Sequence, residues 1–213
     1  MISRINTRWV VIGNVFLLLA SFAWQVFATD EATLAPDQIV QLVINDVAAE
    51  MRANEAIYQN DENKLQQMVR ERALPYFNFQ RMTQLAMARH WREATGEQQA
   101  VITREFQTYL VSRYTTILFK YRDVNPEIQL QPGATDQKAT IKMKVKNDRG
   151  EPVSLYLRLE KSDDRWQLID VNVEGVSLVI TARGRFNEEI TQKGMAGFIQ
   201  AFIEENKAAP HDA

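Results

Sequence analysis

From Lys138 to Lys146 the residue type alternates without a break: Ala139, Ile141, Met143 and Val145 are apolar, and Lys138, Thr140, Lys142, Lys144 and Lys146 between them are polar. No other feature of the chain restricts its fold as much. Successive side chains of a strand point to opposite faces, so this run predicts a strand with one face on a core and the other in water. Asn147-Asp148-Arg149-Gly150 supplies turn residues, after which Val153, Leu155, Leu157 and Leu159 restore the apolar face with Tyr156, Arg158 and Glu160 opposite. That pattern is a hairpin. Asp163-Asp164 turns the chain again into a run that begins with Trp166 and Leu168. Ile169, Val171 and Val173 sit in the other parity, so either a bulge intervenes or both faces are covered there. With Ile128 and Leu130 ahead of the hairpin, the segment reads as an antiparallel meander of about four strands.

On either side of this segment the period is helical. Pro36 suits a first turn, where its missing N–H has no intrahelical partner, and Ile39, Val43 and Val47 follow at four-residue steps with Leu42 and Met51 on the same face. Leu65, Met68 and Val69 mark a second, short helix that Pro75 should end. Asn78 is placed to cap a third, in which Phe79, Met82, Leu85 and Ala86 share a face. Thr95-Gly96-Glu97-Gln98 fits a capping box that opens a long helix with a wide stripe: Ile102, Phe106, Leu110, Tyr114, Ile117, Leu118 and Tyr121. After Gly175 the spacing of Val176, Val179, Ile180, Phe186 and Ile190 is helical, with a strand still open for the first few residues. A last helix is expected from about Gly194 to Glu205, with a flexible tail from about residue 207. The fold class is α+β, a sheet with one face covered by helices from both ends of the chain.

Arg4 and Arg8 precede an apolar stretch from Trp9 to Trp24, and Val26-Phe27-Ala28 presents small residues where a signal peptidase reads them. A spanning helix needs roughly 20 apolar residues, and this stretch is shorter and interrupted by Gly13, Asn14 and Ser21. A leader at residues 1–28 is therefore expected, leaving 29–213 as one exported domain. The formal charge of −2 over 213 residues argues against a broad nucleic-acid-binding surface. No Cys and two His remove thiol chemistry and leave little for a metal site, so no cofactor or metal is expected. His90 follows the Met82 helix and His211 lies in the tail, neither placed as the base of a nucleophile relay. Asp163-Asp164 and Glu188-Glu189 read as a turn and a solvated helix face. The lysines of the alternating run, with Arg158, make either a basic face for anionic head groups or an acidic partner, or simply a solubilising surface. What remains is apolar material on broad faces, with flexible methionines; a pocket and a packed core use the same inward residue types, and periodicity does not separate them.

The order of motifs resembles the MlaC family, also described as toluene-tolerance proteins. The segments that carry the resemblance are Pro75-Tyr76-Phe77-Asn78-Phe79, Trp91-Arg92-Glu93-Ala94-Thr95 leading through Phe106 to Tyr114, then Trp166, Asp170-Val171 and Gly175-Val176-Ser177-Leu178, with Arg185, Phe186 and Ile190 beyond. The chain departs from the pattern at Ala88 and His90, where a glycine and an aromatic residue are expected, and at Ala196-Gly197-Phe198. The resemblance implies a periplasmic phospholipid carrier of the Mla system, not an enzyme, that maintains outer-membrane lipid asymmetry. It implies an apolar cavity between sheet and helices, and two partners: an inner-membrane Mla ABC transporter complex and an outer-membrane lipoprotein–porin complex. By resemblance and facing, the acyl chains would meet Phe79, Met82, Leu85, Phe106 and Leu110 from the helices. From the strands they would meet Ile141, Met143, Val145, Leu155, Leu157, Val171 and Val173, and beyond them Val176 and Val179. Two other readings remain: a small exported α+β enzyme with a pocket carboxylate, and an envelope adaptor with a solid core.

Overall fold

Pro36 opens the first helix of the computed structural model, which describes residues 34–147 and 149–208. The expected leader and the last five residues lie outside the described residues. Helix α1 (Pro36–Ala53) is followed by α2 (Glu55–Asn60) and α3 (Glu62–Arg72), the last capped by Asp61, which accepts from the Lys64 amide at 3.1 Å. Pro75 ends this run as expected, in a single 3-10 turn, Leu74–Tyr76. Asn78 Oδ1 then accepts from the Arg81 amide at 2.9 Å and starts α4 (Phe79–Met87). Ala88 stops α4 at φ 50° and ψ −117°, a conformation glycine adopts without strain, at the position where the resemblance led a glycine to be expected. A short α5 (His90–Glu93) leads to the capping box: Thr95 Oγ1 accepts from the Gln98 amide at 3.2 Å, and Gln98 Oε1 accepts from the Thr95 amide at 3.0 Å. Helix α6 (Gly96–Lys120) runs from it.

The sheet is an antiparallel meander in sequence order: β1 (Glu127–Leu130), β2 (Lys138–Lys146), β3 (Pro152–Ser162), β4 (Arg165–Val173) and β5 (Val176–Ser177). The expected four strands thus gain a fifth, two residues long, because Val176 pairs with Val173 before the helix begins. The parity change in β4 is a bulge. Arg158 faces Asp170 and Leu159 faces Leu168, which leaves Ile169 as the extra residue. Between β3 and β4, Asp163 and Asp164 both take positive φ (49° and 60°), the twist that a two-residue hairpin loop requires. The final helix α7 (Leu178–Ala208) breaks at Gly194, whose φ of 69° divides it where two helices were expected. Its second part continues through Ala208, so the described chain is still helical at residue 207.

The described residues belong to one structural unit, yet its interior divides into three packed clusters. In the helical cluster Phe186 is ringed by Phe106, Phe198 and Phe202, with ring centres 5.0–5.4 Å away. A second joins α1, α3 and the end of α6 through Val47, Met51, Leu65, Met68 and Phe119. The third lays Ile39 and Val40 of α1 on Ile141, Leu157, Leu159 and Leu168 of the sheet. Phe77 packs against all three. Along α6 the stripe behaves differently from expectation. It is buried at Ile102, Phe106 and Leu110, but Tyr114, Ile117 and Leu118 are exposed, because the second half of the helix turns Val111, Thr115 and Phe119 inward instead.

Candidate functional site

Register converts the alternating strands into rows across the apolar face. The first row from the Asp163-Asp164 end is Ala139, Leu159 and Leu168; next come Ile141, Leu157 and Val171, with Leu130 beside them. The third row is Ile128, Met143, Leu155, Val173 and Val176, and the last, at the β2–β3 hairpin, is Val145 and Val153. Burial falls along this direction. The first row is buried throughout, and Ile141 is fully covered. In the third row Met143, Leu155 and Val173 are only half-buried and Val176 is 60% exposed; Val145 and Val153 are half-buried too. None of the third- and fourth-row side chains except Ile128 belongs to a packed cluster. One apolar surface is thus closed at one end and uncovered at the other.

The closed end is fastened by polar contacts from the segment Pro75–Phe79. Phe77 bridges to Leu168, the Asn78 amide donates to Leu168 O at 2.9 Å, and Asn78 Nδ2 donates to Gln167 Oε1 at 3.1 Å. Arg81 Nε donates to Glu160 Oε2 at 2.9 Å, joining α4 to β3. A second fastening lies at the start of α7. Asp170, 2% exposed, accepts from Ser177 Oγ at 2.7 Å and from the Val179 amide at 3.1 Å, while Ser177 Oγ accepts from the Ile180 amide at 3.0 Å. Asp170 and Ser177 together satisfy N–H groups of the first turn that would otherwise be orphaned. The residues quoted for the family resemblance, Phe77, Asn78, Asp170 and Ser177, are therefore fastenings between layers. Sequence reasoning recognised Phe77, Asp170 and Ser177 only as a pattern and Asn78 only as a helix cap, because their partners in the other layer lie far along the chain.

The expected site residues fall into three groups. Phe79, Met82, Phe106, Leu110 and Val179 are buried in the helical cluster, and Leu85 packs against it. Ile141, Leu157 and Val171 belong to the sheet–α1 cluster. Met143, Val145, Leu155, Val173 and Val176 are brought together on the uncovered rows. A further uncovered surface was not singled out: Tyr114, Ile117 and Leu118 continue the helical face of Leu110 at three- and four-residue steps beyond the point where α4 and α7 cover it. Two clefts open beside the sheet. One of about 560 Å³ lies between α1 and β1, lined by Leu42 and Ile128 among the polar side chains of Asp37, Gln38, Gln41 and Asn45. It reaches the third row at Ile128, opposite Met143. The other, about 240 Å³, sits over the closed end beside Tyr76 and Trp166, where Arg72 is paired with Asp46 at 3.0 Å.

The histidine and carboxylates singled out in the sequence sit in a buried hydrogen-bonded position, an exposed turn and an ion-paired helix. His90 is buried, with Nδ1 2.8 Å from Glu93 Oε2 and Nε2 3.2 Å from Asn187 Oδ1. Asp163 and Asp164 are exposed in their turn, and Glu189 binds Arg185 at 2.7 Å and Lys193 at 3.0 Å. Burial raises the Glu189 carboxyl, but hydrogen bonds from Arg185 and Lys193 outweigh it and hold the group below its ordinary value. Arg185 also binds Glu205 and lies over the rings of Tyr109 and Phe202. Among the described residues no group of His, Asp and Glu is arranged to hold a metal ion, and no helix is long and apolar enough to cross a membrane.

Comparison with known proteins bears on this geometry. The family model described as MlaC protein matches residues 41–204. The chain is similar to the intermembrane phospholipid transport system binding protein MlaC of Haemophilus influenzae, at 22% identity over 161 residues covering 74% of this chain and 75% of that protein. Among solved structures it is similar to a phospholipid-binding protein from Ralstonia solanacearum determined in complex with a phospholipid. The TM-score is 0.72 and the identity 31%, covering 82% of this chain and 98% of that one.

Proposed function

The chain belongs to the MlaC protein family, and from that premise we propose that it is a phospholipid carrier whose acyl chains lie on the uncovered rows of the sheet. The observation that carries the reading is the graded apolar face, closed at Leu159 and Leu168 and open from Met143 and Leu155 onward. A contiguous apolar surface left in water costs roughly 25 cal/mol per Å², so a face kept uncovered beyond a packed core marks a site for an apolar occupant. Met143, Val145, Leu155, Val173 and Val176 form the floor. Ile141, Leu157 and Val171 continue the floor inward. Phe79, Met82, Leu85, Phe106, Leu110 and Val179 belong to the helical cluster, and in this reading longer tails would reach them only by entering it. The head group stays at the solvent-facing mouth, where a polar group need not be desolvated, and selectivity among head groups is modest.

This arrangement suits carriage more than catalysis. Each methylene transferred from water gains roughly 0.8 kcal/mol, but a membrane and an apolar pocket are equally dry, so exchange between them nearly cancels. Binding can therefore be tight against water and reversible against a bilayer. Direction must come from a partner with an energy source, since binding alone follows the lipid's free-energy gradient. In this reading the leader at 1–28 is removed, and residues 29–213 act as a single domain in the periplasm. There the carrier meets an inner-membrane ABC transporter complex and an outer-membrane lipoprotein–porin complex, and the traffic maintains outer-membrane asymmetry. The test is native mass spectrometry of protein purified without detergent, followed by lipid extraction. Stoichiometric phospholipid is the expected result; a clean unliganded mass with no uptake from vesicles would overturn the carrier.

A further inference from the structure

The outward face of the sheet carries charge that carriage of acyl chains does not use. Register sets Lys138 beside Glu160, Arg158 beside Thr140, Lys142 beside Tyr156, Lys144 between Glu127 and Ser154, and Lys146 beside Pro152. The acids of the strands are weakly matched to these cations or already engaged, and Glu151 of the hairpin turn accepts from Asn147 Nδ2 at 2.9 Å. Glu160 is bonded by Arg81 at 2.9 Å and lies 4.0 Å from Lys138 Nζ; Glu127 lies 3.9 Å from Lys144 Nζ. Arg158 stands 3.8 Å from Asp170, which is bound to Ser177 and Val179. Lys142 Nζ sits 5.6 Å above the Tyr156 ring, and Lys146 has no ion pair among the described residues. Positive charge is thus concentrated on one surface of a chain whose formal charge is −2.

We propose that the β2–β3 hairpin end of the sheet docks edge-on on an anionic lipid bilayer through Lys142, Lys144 and Lys146, and thereby brings the open end of the apolar face, on the other side of the same hairpin, to the membrane. Two features select a bilayer over an acidic protein. Lysine, a compact point charge on a flexible stem, predominates over arginine, whose planar fork suits fixed carboxylates; diffuse attraction to many head groups needs no fixed geometry. The β2–β3 hairpin is also amphipathic where the site opens: Val145 and Val153 lie on one face and Lys144 and Lys146 on the other. Aliphatic groups can then enter the head-group boundary while the ammonium groups reach phosphates. A tail leaving the third row would cross little water on the way to the bilayer.

The proposal rests on the carrier reading for what docking accomplishes, and the two fail separately. The protein is sedimented with vesicles of phosphatidylcholine alone or with about one third phosphatidylglycerol, at low and high salt. It is compared with a Lys142→Gln, Lys144→Gln, Lys146→Gln variant and with a Lys64→Gln, Lys120→Gln, Lys207→Gln control that removes equal charge from helices. The protein and the control should bind the anionic vesicles only, and salt should release both. Each lysine near the surface is worth about fivefold in partition, so the strand variant should bind on the order of a hundredfold more weakly. Its co-purified phospholipid should match that of the unaltered protein. Equal binding to both vesicle types, equal loss in the control, or no binding to either vesicle overturns the docking and leaves an acidic protein as the partner for this face. Loss of co-purified lipid from the strand variant would place these lysines in the cargo site and also overturn it, whereas absence of lipid from the unaltered protein strikes the carrier reading instead.

Discussion

A glutamate at Leu155 should empty the protein without unfolding it, whereas a glutamate at Leu159 should unfold it. Both positions lie on β3 and on the same apolar face, but Leu159 is 3% exposed beneath α1 while Leu155 is half-buried and outside every packed cluster. Keeping a buried glutamate neutral at pH 7 costs about 1.36 kcal/mol for each unit above its ordinary value near 4.3, or about 3.7 kcal/mol. At 155 in the empty protein the carboxyl reaches water, so the cost arises only when acyl chains cover it. Phospholipid affinity should then fall about 500-fold at pH 7 and recover as the pH approaches about 4.5. At 159 the same cost falls on folding, together with about 2 kcal/mol of lost leucine burial. That total is a large share of the 5–15 kcal/mol typical of a domain. Denaturant melts with phospholipid content per protein separate the two effects, and Met143→Glu, opposite Leu155 in register, should behave as Leu155→Glu does. A folded Leu155→Glu protein with full lipid content at pH 7 would refute the placement, as would equal destabilisation at the two positions.

Three further outcomes follow from the fastenings and the backbone. Asp170→Ala leaves a buried hydroxyl and the Val179 amide without their acceptor, which should cost about 3 kcal/mol in urea melts and speed hydrogen exchange at the start of α7; an unchanged exchange rate at Val179 would rule out the tie. Ala88→Gly relieves a φ of 50° and should raise stability by about 0.5–1 kcal/mol after allowing for glycine's extra freedom when unfolded, so a lower melting temperature would contradict the strain. The Glu189 carboxyl lies lower in the folded protein than in the unfolded chain, so its contribution is present above about pH 4.5 and is lost as the pH falls through the folded value. Glu189→Gln should accordingly flatten the acid limb of stability, and an identical acid limb in both proteins would show that the Arg185 and Lys193 contacts do not hold the group.

The sequence by itself determined the long elements, though not the short α2 and α5. Period-two alternation placed β2 and β3, and Asn78 and Thr95 set helix starts, because each of these depends on backbone groups within a few residues; the parity change in β4 left a bulge or a doubly covered strand open, and the register decided for the bulge. The motif order was also enough to indicate the family. Only the tertiary structure decided which apolar residues are closed in and which stay open. Met82 and Met143 have the same chemistry, yet one is sealed among phenylalanines and the other lies on an uncovered row; Leu110 is buried where Tyr114 and Ile117, on the same helical face, are exposed. Burial depends on what a distant segment brings over a position. The covering contacts here, Asn78 to Leu168, Arg81 to Glu160 and Asp170 to Val179, join residues that register and chain geometry alone bring together.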